Sequence, residues 1–339
     1  MKALVLHGPR DLRYGEVREP VPAPGEAVVQ VVLAGICGSD LHAYHGTQPF
    51  FVYPQTPGHE AVGHVVALGP GVPPDALGAR VVLDPTVSCG RCYPCRVGRG
   101  NCCADLRVLG VHLPGVMAER FVAPWTGLVR VPDHVPDEVA VLAEPLSIAH
   151  HALSRARVRA DDRVAIIGAG CIGQVLLLMC RREGAACLLI DPARPRLDLA
   201  ARLGADAVVD PAGEDPSEAV RRFTGGEGAS VVFEAVGHPE TIRSALDLAS
   251  NAGRVVILGL CSHEVSLPGS VFVRKELDVL GSRLHGGSLP AAVALLAEGA
   301  VEPRPLLSGE VPLAEGAQAF AEAGARDSSP CIETVLRAS

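Results

Sequence analysis

The chain has 339 residues, 48% of them apolar and 4% aromatic, with a formal net charge of -8; this excludes a disordered chain and predicts two domains, or one inserted in the other. It has no long Lys/Arg run to follow a phosphate backbone and no uncharged apolar stretch of about 18 residues to span a membrane, so nucleic acid and membrane are excluded as partners. The N-terminal MKALVLHGPRDLRYGEV lacks the apolar core of a signal peptide, so a cytoplasmic protein is expected, with its eleven cysteines used for metal ligation or burial rather than disulfides.

That first segment predicts a strand and a turn. The β-branched runs AVVQVVLAGI, VGHVVALG, ARVVLDP and ERFVAPW follow, separated by Gly/Pro/Asp turns, up to about Ala143. They predict an all-β module of barrel or sandwich character. Cys37 in LAGICGSDLHAYHG, His59 and Glu60 in TPGHEAVGHV, and Glu144 in LAEPLSIAHHAL are residue types that ligate metals, scattered along the chain as catalytic ligands are. Taken singly, Cys37 also reads as strand packing, His59 as a satisfied core histidine and Glu144 as a helix cap before Pro145.

The run SCGRCYPCRVGRGNCC sets Cys89, Cys92, Cys95 and Cys103 in the spacing C-x2-C-x2-C-x7-C. Four thiolates from one loop make a closed tetrahedral zinc site with no position left for substrate. An iron-sulfur cluster also takes four cysteines, but the bacterial run closes with a shorter gap and a proline, neither of which occurs here. A nucleic-acid zinc ribbon would need more basic surface than Arg91, Arg96 and Arg99 supply against the acidic total. On this spacing Cys102 is a bystander thiol.

From about Ala149 the rhythm changes to strand, glycine turn and long helix, which predicts a parallel sheet covered by helices on both faces. Gly168, Gly170 and Gly173 form G-x-G-x-x-G, with Cys171 and Ile172 inside the same cofactor turn. The first glycine permits the turn, the second lets backbone approach a pyrophosphate, and the third allows close packing of helix on strand. Asp191 ends the next strand, 18 residues after Gly173, where a carboxylate accepts hydrogen bonds from ribose hydroxyls. Its charge would repel the extra phosphate of NADP, so NAD is the preferred cofactor. Arg194 and Arg196 follow closely and can accommodate a phosphate; Arg196 can also lie over the adenine. Val236 and Gly237 in EAVG, and Leu258 and Gly259 in VILGL, end parallel strands, where cofactors lie in such sheets. A helix in PAAVALLAEGAV and a strand in CIETVL close the chain.

The segment GICGSDLH, the GHE at 58–60, the four-cysteine run, the EP at 144–145 and the late glycine turn together resemble the zinc-dependent medium-chain dehydrogenases over nearly the whole chain. Within that family the sequence is similar to the polyol and sugar dehydrogenase branch, the relatives of sorbitol and threonine dehydrogenases. The phrases DPTVSCGRCYPC, VLGVH and GSRL most resemble starvation-sensing-type proteins and the gulonate and galactonate 5-dehydrogenases. The resemblance implies an α/β protein with a GroES-like β-barrel catalytic domain over residues 1–147, carrying the structural zinc lobe. A Rossmann domain with a doubly wound parallel sheet would follow over 148–285, and residues 286–339 would return to the catalytic domain.

The resemblance also implies a second, catalytic zinc, giving two per chain. Cys37 and His59 would hold it with Glu60 or Glu144; Glu60 ranks first as direct ligand, and Glu144 would touch the zinc-bound water. Ser39 would contact the zinc-bound oxygen and His42 would relay the proton, where otherwise they read as a turn serine and a surface histidine. Tyr44, His112 and Arg283 are the candidates for substrate contacts. The implied activity is NAD-dependent oxidation of a secondary hydroxyl of a polyol, sugar or sugar acid. The alternatives are a threonine- or butanediol-type alcohol dehydrogenase and a non-catalytic metabolite-sensing protein that keeps the fold. The implied partner is the small-molecule substrate, in a homodimer or homotetramer.

Overall fold

The computed structural model describes residues 1–324 and 333–338. These form two compact units, one of residues 1–144, 289–324 and 333–338 and the other of residues 145–288.

In the first unit the strand Glu26–Gly35 is the hub. Its near-continuous apolar run matches near-continuous burial, with Gln30 alone exposed. Ala61–Leu68 pairs antiparallel with it along one edge. On the other edge Arg120–Pro124 pairs with Glu26–Gln30, and Glu333–Arg337 with Leu33–Gly35. The sheet reaches seven strands through Arg80–Leu83 and Leu128–Arg130 on one side and Leu307–Pro312 on the other. Leu4, Leu6, Val29, Val31, Met117, Phe121, Phe320 and Leu336 fill the core beneath it, each such side chain contributing about 1.5–3 kcal/mol by its burial.

The second unit is built on a six-stranded sheet in the order Ala207–Val209, Ala186–Ile190, Arg163–Ile167, Ala229–Glu234, Ala249–Ile257, Asp278–Gly281, with every pairing parallel. In chain order this is third, second, first, fourth, fifth, sixth, the doubly wound arrangement whose order reverses between the first and fourth strands. The helix Cys171–Arg182 packs on Arg163–Ile167 and Ala186–Ile190 and buries Val175, Leu176, Leu177 and Met179.

One expectation changes. The N-terminal module is not all β: it contains the helices Gly38–His45 and Asp137–Ala140. A helix running Ala143–Ala156 precedes the first strand of the parallel sheet. Pro145 sits in its first turn, where a missing N–H costs nothing, so the EP pair stands at the start of a helix. The closing strand is described from Glu333 onward; Cys331 and Ile332 lie outside the described residues. Among the described residues, no helix is long and apolar enough to cross a membrane.

Candidate active site

Cys37 lies two residues past the end of the hub strand and sits at the N-cap of the helix Gly38–His45 with extended backbone. His59 and Glu60 precede the strand Ala61–Leu68, and pairing places them beside Cys37: Ala34 faces Ala61, and Gly35 N–H donates to Glu60 O at 2.9 Å. One donor atom from each of Cys37, His59 and Glu60 lies within 4.8 Å of the others. His59 and Glu60 are 7% and 2% exposed, and Glu60 Oε2 is buried without a hydrogen-bond partner. Leaving a carboxylate oxygen so placed is costly unless a cation meets it. One thiolate, one imidazole and one carboxylate fit zinc with an open fourth position, the donor pattern of catalytic rather than structural sites.

The surroundings are strongly acidic. Burial, and then the Glu60, Asp40 and Glu144 charges, push the Cys37 thiol well above its ordinary range, so this thiolate needs a metal to exist. Burial pushes His59 down, but the Asp40, Glu144, Glu60 and Glu333 carboxylates outweigh it and raise the imidazole overall. Glu144 is 3% exposed and stays outside the three-donor cluster, acting on it through its charge. Asp40 was missed by sequence reasoning. It is 1% exposed and accepts from Cys37 N–H at 3.0 Å and Gly58 N–H at 3.2 Å, with Oδ1 at 3.6 Å from His59 Nδ1. Burial lifts its carboxyl to about 6. At that distance Asp40 acts on the imidazole through its charge; an acidic residue three positions after an N-cap was the available signal.

Cys89, Cys92, Cys95 and Cys103 form the second cluster, also within 4.8 Å of one another. The short helix Tyr93–Arg96 turns Cys92 and Cys95 inward, Sγ to Sγ 3.4 Å, and Cys103 Sγ accepts Cys89 N–H at 3.2 Å. The backbone N–H groups of Ala104 and Cys95 pull the Cys92 thiol down to about 6, while burial beside its neighbours drives Cys95 up to about 11. Cys102 lies outside the cluster, in the short helix Gly100–Cys102.

In the second unit the glycine turn links Arg163–Ile167 to Cys171–Arg182. Gly168 has φ 97°, and a Cβ on Gly173 would stand 1.8 Å from Gly168 O, so no larger residue lets the helix start this close to the strand. At Gly170 a Cβ would meet nothing within 4 Å, so protein packing does not require a glycine there and the backbone is open to approach. Cys171 and Ile172 open the helix, half-buried. Asp191 is aimed by two backbone donors, Ala169 N–H and Ala193 N–H, each at 2.8 Å, with Arg196 Nη1 at 3.9 Å. Arg194 is instead held by Asp198 at 2.8 Å.

Val236, Gly237, Leu258 and Gly259 come together beside this turn. A Cβ on Gly168 would meet Val236 Cγ2 at 2.9 Å, and one on Gly259 would meet Gly237 N at 2.1 Å. Buried Glu234 shapes this corner and was also missed: its Oε1 accepts from Val236 N–H, Gly237 N–H and Thr241 Oγ1 at 3.0, 2.8 and 2.7 Å.

The remaining candidates are placed as follows. Ser39 lies in the first turn of the helix Gly38–His45, half-buried, and exposed His42 follows one turn later with Nδ1 3.1 Å from Thr47 Oγ1. Tyr44 is half-buried against the core and packs on Phe320. His112 Nδ1 accepts Val108 N–H at 3.2 Å, and its ring lies 6.4 Å from the exposed Phe50. Arg283 is exposed in the second unit, after the strand Asp278–Gly281. A cavity of about 500 Å³ lined by His7, Arg13, Tyr14, Gln55 and Thr56, among others, holds none of these candidates.

Residues 23–133 match the family model of the alcohol dehydrogenase GroES-like domain, and residues 171–298 that of the zinc-binding dehydrogenases. The chain is 41% identical over 298 residues to an uncharacterized zinc-type alcohol dehydrogenase-like protein of Haemophilus influenzae, covering 88% of this chain and 87% of the relative. It is 33% identical over 323 residues to L-galactonate-5-dehydrogenase of Escherichia coli K12, covering 94% of each. Among solved structures it is similar to the alcohol dehydrogenase rspB of E. coli CFT073 complexed with NADH, with a TM-score of 0.94, 33% identity and 99% of each chain covered. A zinc-binding dehydrogenase of Sinorhizobium meliloti 1021 bound to NADP superposes with a TM-score of 0.91 at 33% identity, over 99% of this chain and 98% of that one. On the strength of both domain matches and these near full-length relatives, the chain belongs to the zinc-type medium-chain alcohol and polyol dehydrogenases, which are oxidoreductases.

Proposed function

We propose that the chain uses zinc and NAD to oxidise a secondary hydroxyl of a polyol, sugar or sugar acid. The observation that carries this reading is the convergence of Cys37, His59 and Glu60 in an open, buried donor set. Bound zinc supplies a Lewis acid that lets an alcohol lose its proton near neutral pH, and bound NAD accepts the hydride. Ser39 accepts the hydroxyl proton as it gives up its own, and His42, on the same helix face and exposed, passes that proton to solvent. Glu144 holds water near the cluster. Cys89, Cys92, Cys95 and Cys103 hold a structural zinc.

The glycine turn takes the pyrophosphate and Asp191 the ribose hydroxyls. NAD is favoured over NADP because Arg194 is committed to Asp198, which leaves only Arg196 beside the Asp191 charge. Residues 1–147 with 286–339 act as the catalytic domain and 148–285 as the cofactor domain, in a cytoplasmic homodimer or homotetramer. Tyr44 and His112 contact substrate, and Arg283 is the candidate for a carboxylate or a cofactor phosphate. The L-galactonate-5-dehydrogenase relative favours a sugar acid within the class.

Polyols, aldonates and 3-hydroxy amino acids are to be tested with NAD and with NADP, following reduced nicotinamide absorbance. Turnover of polyols or aldonates, faster with NAD, is expected. Turnover confined to 3-hydroxy amino acids would move the enzyme to the threonine type, and none at all would favour the metabolite-sensing alternative.

A further inference from the structure

Glu333 opens the strand Glu333–Arg337 and is 2% exposed. That strand runs antiparallel to the hub with Val335 opposite Gly35, and Ile36 N–H donates to Thr334 O at 2.9 Å. Glu333, two residues from Val335, therefore stands on the same face as Gly35. Glu60 is tied to the hub's other edge by the hydrogen bond from Gly35 N–H. Between the two acids Gly35 has no side chain: a Cβ there would stand 2.2 Å from Glu60 Oε2 and 2.9 Å from Glu333 Oε1. The missing methyl group is the space in which the two carboxylates approach. Glu60 Oε2 has no hydrogen-bond partner, and the Glu333 charge also reaches His59. Two carboxylates brought this close in a dry site together raise the local negative potential, which favours a cation at the carboxylate that can reach one.

We propose that Glu333 is a positioning residue for Glu60, standing behind it across Gly35 and driving its carboxylate onto the metal held with Cys37 and His59. This rests on the reading of those three residues as zinc ligands, and adds to it a residue that touches neither metal nor substrate. The pairing of the last strand with the hub thereby becomes a determinant of metal affinity.

The test uses the purified zinc-loaded protein. Zinc affinity at the Cys37 cluster is read by competition with a chromophoric chelator, and ligand geometry by the visible spectrum after Co(2+) replaces zinc there. Glu333→Gln is expected to weaken zinc about tenfold and to shift the Co(2+) bands as Glu60→Gln does, while the cysteine-lobe zinc is retained. Glu333→Asp, which keeps the charge but withdraws it by one methylene, should lie between Glu333→Gln and the wild type. The double variant should be no weaker than Glu60→Gln alone, because both changes act through one ligand. If Glu60→Gln leaves zinc affinity unchanged, the ligand reading itself fails. If Glu60→Gln weakens zinc but Glu333→Gln does not, or the two losses simply add, the positioning proposal is overturned. Should Glu333→Gln not fold, a Glu333→Asp protein with wild-type affinity and spectrum overturns it equally.

Discussion

The cysteine lobe draws all four donors from residues 89–103, whereas the Cys37 cluster draws three from the ends of two strands that meet only because the sheet pairs them. The difference extends to electrostatics. Thiols of the lobe are tuned by backbone N–H groups of the same loop, as Ala104 and Cys95 act on Cys92. Cys37 and His59 are tuned by carboxylates from several parts of the unit, Asp40, Glu60 and Glu144 for both and Glu333 for His59. A single loop can close four ligands around an ion and gains stability from it; a site assembled by strand register can leave one position open, but it depends on the whole sheet.

That contrast can be broken by experiment. The largest effect is expected for His59→Ala: turnover should fall by at least about a thousandfold, one of two zinc ions should be lost, and the melting temperature should barely move. A collapse of stability would mean that both clusters are structural. Cys92→Ser should do the reverse, removing the lobe zinc and lowering the melting temperature by about 10 °C, with turnover per folded chain retained. Calorimetry with metal analysis reads both variants.

A smaller effect sharpens the dependence on distant groups. Asp40→Asn should weaken zinc at the Cys37 cluster by about tenfold and leave the lobe untouched, measured by chelator competition. Equal weakening at both sites would show that Asp40 acts through general stability. The smallest change is Cys102→Ser, expected to keep both zinc ions and to alter stability by less than about 0.5 kcal/mol; loss of the lobe zinc would instead make Cys102, not Cys103, the fourth ligand.

What could be read from sequence follows the same division. The four-cysteine spacing and the glycine turn were legible because each is a pattern within a short stretch of chain; the structure gathers the four cysteine donors within 4.8 Å and packs Gly173 against Gly168, while Asp191 reaches the same turn from the next strand. Asp40 and Glu234 were passed over because an acid in a helix turn or at a strand end looks like ordinary solvated charge. Their importance appears only once both are seen to be buried, accepting the N–H groups of Cys37 and Gly58 in one case and of Val236 and Gly237 in the other.

By itself, then, the sequence determined the parallel α/β unit, the glycine turn and the four-cysteine cluster, since hydrophobic period and residue spacing are local properties of a chain. Only the tertiary structure decided that Glu60 rather than Glu144 joins Cys37 and His59 within ligand distance, and that Glu333 comes up behind Glu60 across Gly35. Those placements depend on the register between strands far apart in sequence, where a shift of one residue would turn each side chain to the other face.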